Sequence, residues 1–296
     1  MIKIKMPAPV QLCRPKHWLK NFLIFVPLIF SGKLMNPQDF TIVLTGWFVF
    51  GLTASAVYII NDLKDVETDR KHEIKKNRPL ASGTVSPRFA AVMTVTLLFC
   101  AFFFTPNPKE TAFMLALYVV LNIFYTLWAK KIPLLDIAVL VTGFLIRIYY
   151  GSFLINVPVS PWLYLTITTM AAYLGLGKRR NELQKTINES LEIDGVLKHY
   201  STSFLDKNMY MCLTLTNAFY ALWTVAPVQA LAEGTPDGRI GTVPLVLLIC
   251  MRYSLLIESK KYADPVDVLT SDKILIFLVL IYCAYMLFLM YGSLFF

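Results

Sequence analysis

The chain is predicted to be an all-α, polytopic membrane protein with nine transmembrane helices and a cytoplasmic N-terminus. Three observations carry that expectation. Of 296 residues, 56% are hydrophobic and only 16% charged, with mean hydropathy +0.58, whereas about a quarter of a soluble domain is charged. The apolar residues gather into runs long enough to cross a bilayer. The basic residues fall in alternate gaps between those runs.

The first apolar run, Phe22 to Phe30 in a span of about 19–32, is preceded by Arg14, Lys16 and Lys20. No small-residue cleavage site follows it, so it reads as a membrane helix and not as a signal peptide. The second, 40–61, runs directly into an acidic segment. Pro87 opens the third (87–105), and Pro106 and Pro108 separate it from the fourth (111–128). Pro133 opens the fifth (133–155), and Pro158 and Pro161 divide that from the sixth (161–177). The seventh is 207–228. Gly238 and Gly241 precede the eighth (241–258), and the ninth is 273–294.

Of the 28 lysines and arginines, only Lys33, Lys109 and Arg239 fall on the far side, and Arg147 lies within a span. The rest cluster in the N-terminal tail and after the second, fourth, sixth and eighth spans. Such asymmetry puts the N-terminus in the cytoplasm and the C-terminus outside. The formal charge of +9 therefore tracks the loops of a membrane protein and does not indicate nucleic acid. Two long cytoplasmic loops, 62–86 and 178–206, each follow the second helix of a four-helix set. This suggests two halves, about 14–128 and 133–258, plus a ninth helix at about 273–294. The five cysteines are scattered, with no Cys-x-x-Cys pair, and read as inert apolar residues. His17, His72 and His199 form no metal-ligand pair, although His72 could contact a phosphate. No nucleophile motif, phosphate-binding glycine loop or dinucleotide fingerprint is present.

The chemistry is concentrated where the second span ends. Asn61, Asp65 and Asp69 are four residues apart and stack oxygen ligands on one helix face, with Asp62 beside them. Like charges at this spacing destabilise a bare helix. A divalent cation would reverse that cost, and hard oxygen ligands suit magnesium. Lys75, Lys76 and Arg78 follow at once, as a phosphorylated ligand would require. Tyr58 precedes Asn61 by one turn and shares its face.

Basic residues supply further candidates for phosphate binding. Lys20 enters the first span, and Lys130 ends the fourth. Lys178, Arg179 and Arg180, followed by Asn181 and Glu182, close the sixth span as a basic counterpart to the acidic motif. Ordinary positive-inside anchoring accounts for such residues equally well, and for Lys130 better. Arg147 is different. It lies about fourteen residues past Pro133, roughly 20 Å into its span. A charge at that depth needs a polar cavity or a partner and is functional by default. Asp136 shares its helix face but is too far along the axis to pair with it.

The segment Asn61-Asp62-x-x-Asp65-x-x-x-Asp69 resembles the first aspartate-rich motif of the UbiA-type intramembrane prenyltransferases. Arg14 to Asn21, Ala54 to Tyr58, Asn61 to His72, Lys75 to Gly83, Leu145 to Arg147, Gly177 to Arg179, Tyr200 to Phe204 and Pro265 to Lys273 are similar to one branch, the polyprenyl-phosphate phosphoribosyltransferases. The resemblance implies a single UbiA-like domain over 1–296 in a bacterial-type inner membrane. It implies transfer of 5-phosphoribose from phosphoribosyl diphosphate to a polyprenyl phosphate, with Mg2+, toward a cell-envelope arabinan precursor. The expected partners are those two substrates and membrane lipids, with a homo-oligomer compatible. Asn61, Asp62, Asp65 and Asp69 are the expected metal and catalytic residues. Lys20, Tyr58, Lys75, Arg78, Lys130, Arg147, Lys178 and Arg179 are the expected substrate ligands. Aromatic prenyltransferases carry a second aspartate-rich motif where this chain has Lys178 to Glu182. A prenyl transfer to an aromatic acceptor is therefore the first rival, and a membrane transporter is a rival of another class.

Overall fold

The computed structural model describes residues 6–71, 75–189, 193, 195–226, 238–258, 268 and 271–292. Lys3, Lys5, His72, Lys260, Lys261 and Pro265 lie outside them. The described residues form helices and connecting turns, without β-strands.

A short helix α1 (Ala8–Leu12) leads into a 3-10 stretch, Pro15–Phe25, and then α2 (Val26–Phe30). The first predicted span is thus wound more tightly than a regular α-helix up to Phe25, and as an α-helix from Val26. Close packing accompanies this: the Trp18 ring occupies the space a side chain at Gly51 would need, and the Ile24 carbonyl comes so near Gly151 that a Cβ there would lie 2.2 Å from it. Next comes α3 (Pro37–Lys71). Pro37 sets the φ of its first turn, and Asn36 Oδ1 caps it by accepting from the Gln38 and Asp39 amides. At 35 residues, α3 is about 50 Å long, against a hydrocarbon core of about 30 Å. Its last turns, from Asn61 onward, therefore project beyond the apolar layer.

The remaining helices are α4 (Pro87–Phe103), α5 (Pro108–Leu127), α6 (Leu135–Ile155), α7 (Pro161–Asn188), α8 (Thr202–Val225), α9 (Val243–Glu258) and α10 (Lys273–Tyr291). Proline stands at the first position of α4, α5 and α7. Ser86, Ser201 and Asp272 cap α4, α8 and α10 through side-chain oxygens. Among the described residues, five helical segments are long and apolar enough to cross a bilayer: α3, α5, α6, Gly238–Glu258 and α10. On α4, Val92, Val95, Phe99 and Phe103 form an exposed stripe at helical spacing, each at least 66% exposed. A stripe of that size suits lipid and not water.

The chain packs as two compact units. The first comprises Met1–Val26, Asn36–Ala129 and Ile146–Asn156. In it, Leu80 and Val85 of the loop after α3 bury against Leu12, Ile59 and Ala90. That apolar anchor lays the loop along the projecting end of α3. The second unit comprises Pro27–Met35, Lys130–Leu145 and Val157–Phe296. Its core joins Ile137 of α6, Tyr173, Leu176 and Leu183 of α7, Leu205 and Met209 of α8, and Tyr253 and Ile257 of α9.

Candidate active site

The acidic end of α3 divides into two edges. Asp62 and Asp69 lie on the buried edge, 3% and 4% exposed. Both accept from the same nitrogen, Arg78 Nη1, at 3.1 and 2.6 Å. Asp62 also accepts a close bond from Arg14 Nη2. The two carboxylates are thus matched by two guanidinium groups, the pairing that buried charge requires. Arg78 reaches them because its loop is anchored by Leu80 and Val85. Arg14, in the left-handed region at φ 47°, reaches from the N-terminal side and stacks 5.2 Å over the Tyr58 ring. The His17 ring lies 5.4 Å from Tyr58.

Asn61 and Asp65 lie on the more open edge, both half-buried and one turn apart. Asn61 Oδ1 lies 3.1 Å from Thr126 Oγ1 of α5, whose one hydroxyl proton is shared between it and the Asn122 carbonyl at 2.8 Å. This contact positions the Asn61 carboxamide beside α5. Lys75 opens an exposed turn, Lys75–Asn77, whose carbonyl accepts from the Arg78 amide at 2.9 Å. Lys20 is half-buried in the 3-10 stretch.

Among the described residues, no group of three or more His, Cys, Asp or Glu is arranged to hold a metal. Magnesium asks for less than that. It keeps several waters and takes one or two protein oxygens together with substrate phosphates. Asn61 and Asp65 form such a hard-oxygen pair, and the donor set fits. Asp62 and Asp69 are instead engaged by arginine.

Arg147, in α6, is 4% exposed. Its Nε donates to Asn21 Oδ1 at 2.8 Å and its Nη2 to the Tyr118 hydroxyl at 3.1 Å. The guanidinium also lies 5.0 Å from the Phe50 ring and 4.9 Å from the Tyr118 ring, within cation–π range. Asn21 and Tyr118 complete this cluster and were not singled out by sequence reasoning. Asn21 follows Lys20 in a motif already noted, which was a usable signal. A tyrosine in the apolar run of α5 offers none.

The basic residues after the sixth run belong to α7 and to the second unit. Arg179, 8% exposed, donates from Nε to Asp136 Oδ2 and from Nη1 to Glu182 Oε2, both at 2.6 Å. Asp136 is fully buried and accepts at its other oxygen from the Tyr200 hydroxyl at 2.7 Å. That hydroxyl in turn accepts from the Leu134 amide at 2.7 Å, where the backbone is left-handed at φ 66°. Burial, chiefly, pushes the Tyr200 phenol up to about 12, so it stays a proton donor to Asp136. Lys178 is held only at 3.9 Å by Glu182 and keeps 35% of its side chain exposed. Arg180 pairs closely with Asp206. Lys130 lies half-buried in the turn Ala129–Lys131.

With this geometry in view, the likeness to known proteins is informative. The model of the UbiA prenyltransferase family matches residues 22–177. The chain is 29% identical over 271 residues to the decaprenyl-phosphate phosphoribosyltransferase of Corynebacterium glutamicum, covering 90% of this chain and 81% of that one. It is also 29% identical over 290 residues to the protein of the same name from Mycobacterium tuberculosis, covering 93% and 91%. A solved UbiA homolog from Archaeoglobus fulgidus, bound to GPP and Mg2+, superposes with a TM-score of 0.68 at 16% identity, covering 96% of this chain and 98% of that one. The family match spans the acidic end of α3 and Arg147 with Phe50 and Tyr118, and stops just short of Asn21 and of Lys178; the helical architecture agrees with it, and the chain belongs to the UbiA prenyltransferase family.

Proposed function

We propose that the chain transfers a 5-phosphoribosyl group from phosphoribosyl diphosphate to the phosphate of a polyprenyl phosphate, releasing pyrophosphate. The observation that carries this reading is the likeness, over 90% of the chain, to a relative named decaprenyl-phosphate phosphoribosyltransferase. The site chemistry supports it. A prenyl diphosphate that must ionise suits two metal-carboxylate motifs, whereas two phosphorylated substrates suit one acidic and one basic set. The acidic set here is Asn61 and Asp65, and the basic set on α7 is led by Lys178.

In the reaction, an oxygen of the lipid phosphate forms a bond to the anomeric carbon of the ribose. The bond from that carbon to the diphosphate oxygen breaks, and its electron pair leaves with pyrophosphate. The nucleophile is already ionised, so no general base is needed. Asn61 and Asp65 would hold magnesium, which when bound neutralises charge developing on the leaving diphosphate. Lys20, Tyr58, Lys75 and Arg78 take the donor's phosphates and ribose. Arg147, Lys130, Lys178 and Arg179 hold phosphate oxygens of either substrate. Asp62 and Asp69 serve through Arg14 and Arg78, whose positions they fix. The nine-span topology, with a cytoplasmic N-terminus in a bacterial-type inner membrane, puts Asn61 and Asp65 within reach of a soluble phosphosugar. The product is a precursor for cell-envelope arabinan.

The test is incubation of purified, folded protein with labelled phosphoribosyl diphosphate, polyprenyl phosphate and magnesium. Label is expected in the lipid fraction. Its absence, or transfer of a prenyl group from a polyprenyl diphosphate to an aromatic acceptor in its place, would overturn the proposal.

A further inference from the structure

The Asn21 side chain does more than the role of Arg147 requires. Asn21 is 0% exposed, and its Oδ1 accepts from Arg147 Nε at 2.8 Å. Arginine only donates hydrogen bonds, so the oxygen of the carboxamide, and not the nitrogen, must face it. Rotating the amide by half a turn would set donor against donor. The orientation of Asn21 is therefore fixed by chemistry, and its Nδ2 points away from Arg147 as a donor. That nitrogen is buried and has no hydrogen-bond partner. Buried donors are nearly always satisfied, and each exception asks for an explanation.

The surroundings define what would satisfy it. Arg147 is held by Tyr118 Oη at 3.1 Å and by the faces of Phe50 and Tyr118. Lys20, next in sequence to Asn21, and Tyr58 both lie within electrostatic reach of the same Tyr118 hydroxyl. The orphan donor thus belongs to a side chain bonded to one cation, Arg147, and next in sequence to another, Lys20. A cation is disfavoured there by the like charges of Arg147 and Lys20, and an anion is favoured. An oxyanion answers both the charge and the donor.

We infer that Asn21 is a further substrate-binding residue, its Nδ2 donating to a non-bridging phosphoryl oxygen whose charge Arg147 balances. This rests on the assignment of Arg147 to a phosphate, made above. The phosphoryl oxygen belongs either to phosphoribosyl diphosphate or to the polyprenyl phosphate, and one experiment separates the two.

Affinity is measured for each ligand alone, with magnesium, on detergent-purified full-length protein carrying Asn21→Ala, Arg147→Gln or both. Asn21→Ala is expected to weaken one ligand at least tenfold and the other less than twofold, which identifies the source. If Asn21 contacts the ligand itself, it still costs at least threefold in the Arg147→Gln background. If Asn21 only orients Arg147, that second loss vanishes and the inference is overturned. Unchanged affinity for both ligands in Asn21→Ala overturns it as well. Unchanged affinity in Arg147→Gln alone overturns the assignment of Arg147, a separate failure. Should Asn21→Ala not fold, Asn21→Asp decides. It keeps the acceptor for Arg147 and deletes the donor, so a tenfold loss supports the inference and wild-type affinity removes it.

Discussion

The ends of α3 and α7 solve the same problem with opposite charges. On α3 the helix carries buried carboxylates, Asp62 and Asp69, and arginines from elsewhere in the chain, Arg14 and Arg78, neutralise them. On α7 the helix carries a buried arginine, Arg179, and a carboxylate from elsewhere, Asp136, neutralises it. In each case the inner charge is taken up by a structural pair. What each end keeps on its more open edge differs: the oxygens of Asn61 and Asp65 on α3, and the loosely held ammonium of Lys178 on α7. On the proposed reading, Asn61 and Asp65 meet a metal-chelated diphosphate and Lys178 a bare phosphate, while Arg78 and Arg179 reach ligand from within their ion pairs.

The largest effect tests the open edge of α3. Asp65→Asn keeps the shape and one oxygen but removes the charge that would hold magnesium. Turnover is expected to fall by about a thousandfold, which corresponds to roughly 4 kcal/mol in the activation barrier, with the melting temperature changed little. Near-normal turnover would show that the oxygen face does not serve the metal and would break the division into inner and outer groups.

The second test reaches the inner pairs. Asp136→Leu strips the buried Arg179 of its fully buried carboxylate partner. Breaking a buried pair by removing one partner costs about 3–5 kcal/mol. Arg78→Met removes a partner whose side chain is 29% exposed; Asp62 still has Arg14 while the buried Asp69 loses its arginine, so about 2–4 kcal/mol is expected there. Denaturation in a single detergent measures both. A larger loss for Arg78→Met than for Asp136→Leu would mean that the arginines on α3 matter to stability more than their burial implies.

How much of this was open to sequence reading follows from the range of each interaction. The helices follow from apolar runs and from caps such as Ser86 and Asp272, all local signals. The stacking of Asn61, Asp65 and Asp69 follows from helical spacing, also local. The pairing of Asp62 and Asp69 with Arg78 was out of reach, because it depends on Leu80 and Val85 burying against Leu12 and Ile59. Helical spacing sets Asp69 one turn past Asp65 and, seven residues on, close to the face of Asp62; which of these groups is buried depends on tertiary packing. Arg147 was visible as a charge in an apolar run, but its partner Asn21 is 126 residues away. Asp136 shares a helix face with Arg147, yet it bonds to Arg179 and Tyr200. The close packing of the Pro15–Phe25 stretch on Gly51 and Gly151 joins positions far apart along the chain.

A smaller effect probes the open edge of α7. The Lys178–Glu182 contact is 3.9 Å long with both side chains about a third exposed, so it contributes at most about 1 kcal/mol. Lys178→Met should leave the melting temperature nearly unchanged and raise KM for one phosphorylated substrate by about tenfold, worth roughly 1.4 kcal/mol of binding. If stability fell and KM did not, Lys178 would belong with the inner residues, and the parallel between the two ends would fail.

The smallest effect concerns the tyrosine that completes the α7 pair, and here the pH dependence carries a definite sign. Tyr200 donates to Asp136 and accepts from the Leu134 amide, and its phenol is raised to about 12, first by burial. An ordinary phenol titrates near 10. The folded state thus holds the Tyr200 proton more tightly than the unfolded state. Its contribution to stability is complete below about pH 10 and is lost as pH rises through about 12. Tyr200→Phe removes both hydrogen bonds and should cost about 1–3 kcal/mol at neutral pH, since Asp136 keeps Arg179 while losing a donor. Between pH 7 and 9 the deficit should stay constant, and above pH 10 it should shrink as wild type loses the same contact. A deficit that varied between pH 7 and 9 would break the assignment of the effect to the Tyr200 phenol.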